Sequence, residues 1–325
     1  MKAGLIGCGK IAHFHADVLQ HLGVEIVAVA YRSDIGNAKA FQAKYMIPTI
    51  YSDWKSMIED EKPDAIWVLT DWESIDQMLI PVVDRAIPAF FEKPVALSSS
   101  RISDVIATFP REISKIQVGY NRRFYDVVRI LKNELSNRSI LSVEMLVPES
   151  VDLSDKKMVQ YRTIQNSSHL VDLLIYLLDD NLKESKYVQR FGDYGKNTPG
   201  FVALFETHGG IPVYISSVFN SPVNSTVRVY TDDEFMFELK PLEKLTIYKG
   251  FSVSEPTAEQ PIRLYKPKII KEYYETAGKF KPGFLSQAEA FINYTFHGNN
   301  KSLPNLQSSL SVTRVIERIN NQPKK

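Results

Sequence analysis

The opening stretch, residues 1–12, restricts this chain more than any other segment. Ala3-Gly4-Leu5-Ile6-Gly7-Cys8-Gly9-Lys10-Ile11-Ala12 reads as a short apolar strand, a G-x-G-x-x-A turn and the start of a helix. Gly7 permits the tight turn, Gly9 lets a pyrophosphate approach the backbone, and Ala12 is small enough for the helix to pack on a sheet. Phosphates would lie at the helix N-terminus, where unpaired N–H groups and the helix dipole favour negative charge. Gly7, Gly9, Lys10 and Ile11 are therefore candidate cofactor-binding residues. Such a turn needs a βαβ unit around it, and the following sequence provides one.

Up to residue 120, short apolar runs alternate with helical patterns. Strands are expected at Ala3–Ile6, Glu25–Ala30, Ala65–Leu69, Ala89–Phe91 and Ile116–Val118, with helices near Ile11–Leu22, Gly36–Tyr45, Trp54–Glu59, Ile75–Arg85 and Ser103–Thr108. That alternation implies right-handed crossovers and a doubly wound parallel sheet, an α/β Rossmann domain. Beyond residue 120 the rhythm changes. A helix over Tyr125–Leu135, a strand near Ile140–Val147 and a helix at Leu170–Leu178 precede a series of strands: Tyr187–Phe191, Val202–Thr207, Val213–Phe219, Thr226–Tyr230, Glu234–Leu239 and Thr246–Tyr248. Successive strands without intervening helices predict an α+β domain with a large, mostly antiparallel open sheet. Two C-terminal helices are expected, Phe284–Phe296 and Leu306–Asn320; the stripe Phe284, Ala288, Phe291, Ile292 in the first is a core pattern. The expected division is 1–120 for a dinucleotide-binding domain and 121–325 for substrate binding and oligomerisation, in keeping with ~100–200 residues per domain.

Composition removes several function classes. Lys plus Arg number 39 against 38 Asp plus Glu, so the chain lacks the basic field that holds a nucleic acid. No run is long and apolar enough to span a membrane. A single cysteine, Cys8, forms no internal disulfide and no cysteine zinc site, and no metal is expected. Met1-Lys2 leads straight into a strand rather than a secretory signal, so a cytoplasmic protein is expected.

The end of the second strand bears on the ribose. An NAD site usually carries Asp or Glu there. Here the run is Ala30-Tyr31-Arg32-Ser33, with Asp34 assigned to the following turn. Arg32 and Ser33 suit a 2′-phosphate, which favours NADP over NAD; alternatively, Arg32 only stacks on adenine.

Gly7-Cys8-Gly9-Lys10-Ile11-Ala12 with His15, then Phe91-Glu92-Lys93-Pro94, then Gly119-Tyr120-Asn121-Arg122-Arg123-Phe124, resemble the Gfo/Idh/MocA oxidoreductases. That family includes glucose–fructose oxidoreductase, inositol dehydrogenase and sugar-nucleotide dehydrogenases. The resemblance implies NAD(P)-dependent hydride transfer to or from a secondary alcohol or ketone of a sugar, cyclitol or nucleotide sugar. It implies that Lys93, beside Glu92 in the cofactor site, reaches the substrate hydroxyl, and that Pro94 follows a cis bond. An ammonium there stabilises a developing alkoxide. The bland alternative is a surface lysine beside a turn proline.

The resemblance also implies that His169, at the start of a helix, exchanges the proton. A helix N-terminus favours the neutral imidazole that can accept one. The family often has an Asp four residues earlier, where this chain has Gln165; either Lys93 and His169 suffice, or activity is reduced or absent. Asp172 either orients the imidazole or is a solvated helix residue. The family's Thr-Pro-Asn turn and following His are Thr70, Asp71, Trp72 and Ile75 here, leaving Thr70 and Trp72 as the cofactor-pocket candidates. Asn121 and Arg122, with Tyr161, Arg162, Gln165 and Asp172, are the substrate-binding candidates; the guanidinium pair Arg122 and Arg123 would equally serve in interdomain salt bridges. Arg263, Lys266, Lys268, Lys271, Lys279 and Lys281 form a basic stretch that meets a sugar-nucleotide diphosphate or is simply solvated. The family implies a homodimer or homotetramer through the open sheet. A rival class is a cofactor-binding regulator of the same fold without turnover.

Overall fold

The computed structural model describes residues 1–150, 152, 154, 167–183, 186–191, 200–276, 278–297 and 303–320. The chain forms two compact units, Met1–Phe124 with Ala277–Glu317, and Tyr125–Thr276 with Arg318–Lys325.

The first unit is built on β1 (Lys2–Ile6), β2 (Glu25–Ala30), β3 (Thr49–Tyr51), β4 (Ala65–Val68), β5 (Ala89–Phe91) and β6 (Ile116–Val118). They pair in the order β3-β2-β1-β4-β5-β6, all parallel. The order reverses between β1 and β4, which opens a crevice beyond their C-terminal ends, the place where ligands bind in doubly wound sheets. Strand Ala65-Ile66-Trp67-Val68 is buried throughout, as expected of a sheet covered on both faces.

The helices of this unit are α1 (Lys10–His21), α2 (Ile35–Tyr45), α3 (Trp54–Glu61), α4 (Trp72–Val83) and α5 (Ser99–Thr108). Four of them open on a side-chain cap: Asp34 accepts from the Asn37 N–H, Asp53 from Ser56, Asp71 from Ser74 and Ser98 from Arg101. Each cap satisfies one of the orphan donors of a first turn. These caps start α4 and α5 earlier than apolar periodicity predicts, because Trp72-Glu73-Ser74 and Ser99-Ser100-Arg101 carry no core stripe. α1 opens on Gly9 with no side-chain cap.

Ala277–Glu317 rejoins this unit, which differs from a single cut at residue 120. The reason is the Phe stripe. Between β6 and the second unit's first helix, α6 (Asp126–Leu135), the chain leaves; it returns in α8 (Phe284–His297), the second unit having supplied α7 (Ser168–Leu178). Phe291 meets Trp67 edge-on at 5.2 Å between ring centroids, and Phe284 and Ala288 pack with Val18 of α1. The last helix is α9 (Leu306–Asn320).

The second unit carries β7 (Ile140–Leu146), β8 (Tyr187–Phe191), β9 (Gly200–Glu206), β10 (Pro212–Val218), β11 (Thr226–Thr231), β12 (Phe235–Leu239), β13 (Lys244–Ser254) and β14 (Leu264–Tyr274). They form one sheet, β14-β13-β12-β11-β7-β10-β9-β8, antiparallel except where β7 runs beside β10. Phe201, Ala203 and Phe205 face the core, while Leu204 is exposed. α6 packs against both α7 and β13, burying Val127, Val128, Leu131 and Leu135. β14 was not expected as a strand. Its basic run, including Lys266, Lys268 and Lys271, is exposed on nearly every residue and lacks the alternation that signals a half-buried strand.

Candidate cofactor and active site

The glycine turn has the geometry its sequence requires. Gly7 has φ +106°, and a Cβ on it would meet the Leu69 carbonyl oxygen at 2.8 Å. Gly9 is extended at φ −77°, and a Cβ there would meet nothing within 4 Å. The turn therefore leaves the backbone at Gly9 open beside an uncapped helix N-terminus. Lys10, the first residue of α1, is exposed, and Ile11 is half-buried. These features fit a dinucleotide's pyrophosphate. Asn37 steadies the turn through its amide, which donates to the Cys8 carbonyl at 3.0 Å. Cys8 itself is buried, and its thiol is pushed up mainly by that burial and by Asp34.

A cleft of about 360 Å³ extends from this turn. Gly7, Thr70, Met78 and Pro81 contribute to its walls, together with Tyr31 and Arg32 from the end of β2 and Ser52, Trp54 and Lys55 around the start of α3. Arg32 is held in place: its guanidinium lies 3.3 Å from Asp71 and donates to the Ser74 hydroxyl at 2.6 Å. Partial desolvation acts to raise the Asp71 pKa, but the Ser74 N–H and hydroxyl, with Arg32, hold it below the usual range. Asp34, assigned from the sequence to a turn, caps α2, and Ser33 is exposed. Trp72 opens α4 half-buried and is not among the walls of the cleft.

Glu92 and Lys93 follow β5 directly, at the carboxyl edge of the sheet. The Lys93–Pro94 bond is cis. Glu92 is 7% exposed and accepts a hydrogen bond from His15 Nε2 at 2.8 Å. The other oxygen of Glu92 accepts the Lys93 N–H at 3.2 Å. Gly119 lies so close that a Cβ would meet Glu92 Oε1 at 3.1 Å. Lys93 is half-buried.

Two neighbours of Glu92 escaped the sequence reading. His15 belongs to the family-like motif, yet only β5 reveals its partner. Lys281 was part of a basic run, but the fold separates it from β14. Its ammonium stands over the Phe14 and Phe284 rings at 5.2 and 5.1 Å. Desolvation lowers its pKa, opposed by Glu92 and assisted by Arg122 and Lys10.

The remaining candidates are distributed as follows. Asn121 is buried, and its amide donates to the Pro282 carbonyl at 3.0 Å, anchoring a turn of its own unit. Arg122 is half-buried. In the second unit, His169 is half-buried at the start of α7. Asp172, three residues on, is 0% exposed, which overturns its reading as a solvated residue. Ser167, before the helix, donates through its hydroxyl to the buried Glu149. Tyr161, Arg162 and Gln165 lie outside the described residues.

Residues 1–120 match the model of the Gfo/Idh/MocA family, an oxidoreductase family with an NAD-binding Rossmann fold. An inositol 2-dehydrogenase/D-chiro-inositol 3-dehydrogenase of Lacticaseibacillus casei is 27% identical over 188 residues, covering 55% of this chain and 54% of that protein. The chain thus spans about half the length of the curated relatives it matches. A dehydrogenase structure from Chromobacterium violaceum superposes with TM-score 0.81 at 18% identity, covering 98% of this chain and 94% of that one. The myo-inositol dehydrogenase of Lactobacillus casei, in complex with NAD(H) and myo-inositol, gives 0.75 at 18%, covering 98% and 93%. These structural likenesses establish a shared fold across the whole chain.

Proposed function

We propose that this chain, whose first 120 residues belong to the Gfo/Idh/MocA oxidoreductases, is an NAD(P)-dependent dehydrogenase. Its substrate would be a secondary alcohol or the corresponding ketone of a sugar, cyclitol or nucleotide sugar. The single observation that carries this reading is the pairing of an open glycine turn with Glu92-Lys93-cis-Pro94 at the carboxyl edge of the same sheet.

The uncapped start of α1 holds the pyrophosphate, and the cleft beside Arg32 takes the adenosine ribose, with NADP preferred over NAD. A nicotinamide held there supplies the hydride acceptor or donor. Lys93 hydrogen-bonds the substrate oxygen and stabilises its negative charge as the C–H bond breaks. The Glu92 carboxylate, fixed by His15, receives the Lys93 N–H and so sets the direction in which that side chain leaves the backbone. His169 exchanges the proton, with buried Asp172 on the neighbouring turn of α7 as its orienting residue. Asn121, Arg122, Tyr161, Arg162 and Gln165 remain candidates for the substrate pocket.

Curated relatives named as inositol dehydrogenases support a cyclitol-like substrate. A cytoplasmic location belongs to the same proposal; separately, no described helix is long and apolar enough to cross a membrane. Tyr187, Leu204 and Tyr214 share a row across β8, β9 and β10 and are exposed. That apolar face supports a homodimer or homotetramer through the sheet.

Replacing Lys93 with Met tests the assignment. Turnover should fall by at least about 100-fold, the size of one acid–base or electrostatic contribution, while the cofactor dissociation constant changes little. Equal loss of both would make Lys93 a cofactor ligand only, and unchanged turnover would remove it from the chemistry.

A further inference from the structure

The adenosine end of the cleft holds a second cation that sequence reasoning passed over. Lys55 lies in the first turn of α3 and, with Ser52 and Trp54, forms part of the same walls as Arg32. No Asp or Glu is among those walls. The loops after β2, β3 and β4 each carry an aspartate, but every one of them caps a helix. Asp34 accepts the Asn37 N–H at 2.9 Å, Asp53 the Ser56 N–H at 3.0 Å, and Asp71 the Ser74 N–H at 3.0 Å. An unphosphorylated ribose presents a diol that a carboxylate would accept from; this cleft offers none.

It offers cations and hydroxyls instead. Arg32 is aimed by Asp71 and Ser74, at 3.3 and 2.6 Å, so its fork is set before any ligand arrives. Because Asp71 offsets much of that charge, one guanidinium alone is a weak match for a phosphate that carries about −1.5 to −2 at neutral pH. Lys55 supplies the missing positive charge from α3, its ammonium standing 5.9 Å from the centroid of the Trp54 ring, which is part of the same walls.

Building on the dinucleotide reading of the site, we propose that Lys55 joins Arg32 in binding a 2′-phosphate on the adenosine ribose and thereby selects NADP over NAD. Arg32 and Lys55 are the cations of those walls, so the charge that discriminates the two cofactors comes from these two side chains.

Adenosine 2′,5′-bisphosphate and adenosine 5′-monophosphate differ only in the group concerned. Their dissociation constants can be measured by calorimetry on the full chain, with Trp54 fluorescence as a second readout. The wild type should bind the bisphosphate roughly 10-fold to 100-fold tighter, the range of a charge-assisted contact. K55M should reduce that ratio by about 10-fold without moving the monophosphate constant, and K55R should restore it. Lys55 is exposed, so thermal melting of the variants should match the wild type. Equal wild-type affinity for both ligands would overturn the proposal while leaving the dinucleotide site intact. So would a K55M variant that weakens both ligands alike, or neither. Failure of either ligand to bind would overturn the dinucleotide reading and this proposal together.

Discussion

The two glycines of the turn separate folding from binding, and alanine at each should show it. At Gly7 the backbone sits at φ +106°, a conformation that costs a non-glycine residue about 1–2 kcal/mol. The added methyl also faces the Leu69 carbonyl oxygen at 2.8 Å and carbon at 2.9 Å, with Thr70 Cγ2 at 3.1 Å. Two of those atoms are backbone in the strand-to-turn segment after β4, so relief requires moving the turn; a further ~1–2 kcal/mol is reasonable for such overpacking. G7A should therefore lose about 2–4 kcal/mol, a fall of roughly 4–16 °C in Tm for a domain of this size. G9A has no such contact and an ordinary extended backbone, so its stability should stay within ~1 kcal/mol of the wild type, the cost of alanine at a helix N-cap. The Gly9 methyl would instead stand where the pyrophosphate approaches, and NAD(P) affinity should fall at least about 10-fold. Differential scanning calorimetry and cofactor titration on the same preparations read both quantities. Wild-type cofactor affinity in G9A would refute the placement of the phosphates. A stability loss in G9A equal to that in G7A would refute the geometric distinction.

Removing His15 should leave the Glu92 carboxylate buried beside fewer donors. H15L is expected to lose roughly 2–4 kcal/mol in a denaturant titration, with E92Q recovering part of it in the double variant; additive effects would contradict a direct bond. Glu275 offers a pH test in the second unit. Burial raises its pKa, opposed by the Val127 N–H that its carboxylate accepts at 3.2 Å. A raised acid pKa contributes stability that is full below the unfolded value and is lost as pH rises through the folded one. E275Q, which cannot ionise, should thus gain on the wild type as pH climbs from about 4 toward neutrality; a pH-independent difference would show that Glu275 titrates normally.

Much of the first unit was legible because its signals are local. The glycine turn, the buried run Ile26-Val27-Ala28-Val29-Ala30 and the triplet after β5 each carry their own geometry. The three-residue β3 was missed because Thr49-Ile50-Tyr51 is only half-buried and lacks the apolar run that marks the equally short β5 and β6. Contacts that join distant residues were not readable. His15 and Glu92 are far apart in sequence, and their bond exists only because α1 packs against the sheet that contains β5. Lys281 looked like its basic neighbours until Phe284 and Phe291 returned that segment to the first unit. Lys55 carried no motif at all. Its meaning came from the cleft and from three aspartates committed to helix caps.

The most direct test of the whole account is a turnover screen. The wild-type protein, loaded with NADP or NAD, is offered cyclitols, sugars and nucleotide sugars while the absorbance of the reduced nicotinamide is followed. At least one secondary alcohol should drive reduction in the wild type and fail to do so with K93M. Tight cofactor binding without turnover of any polyol or nucleotide sugar would contradict the account and leave a cofactor-binding regulator in its place.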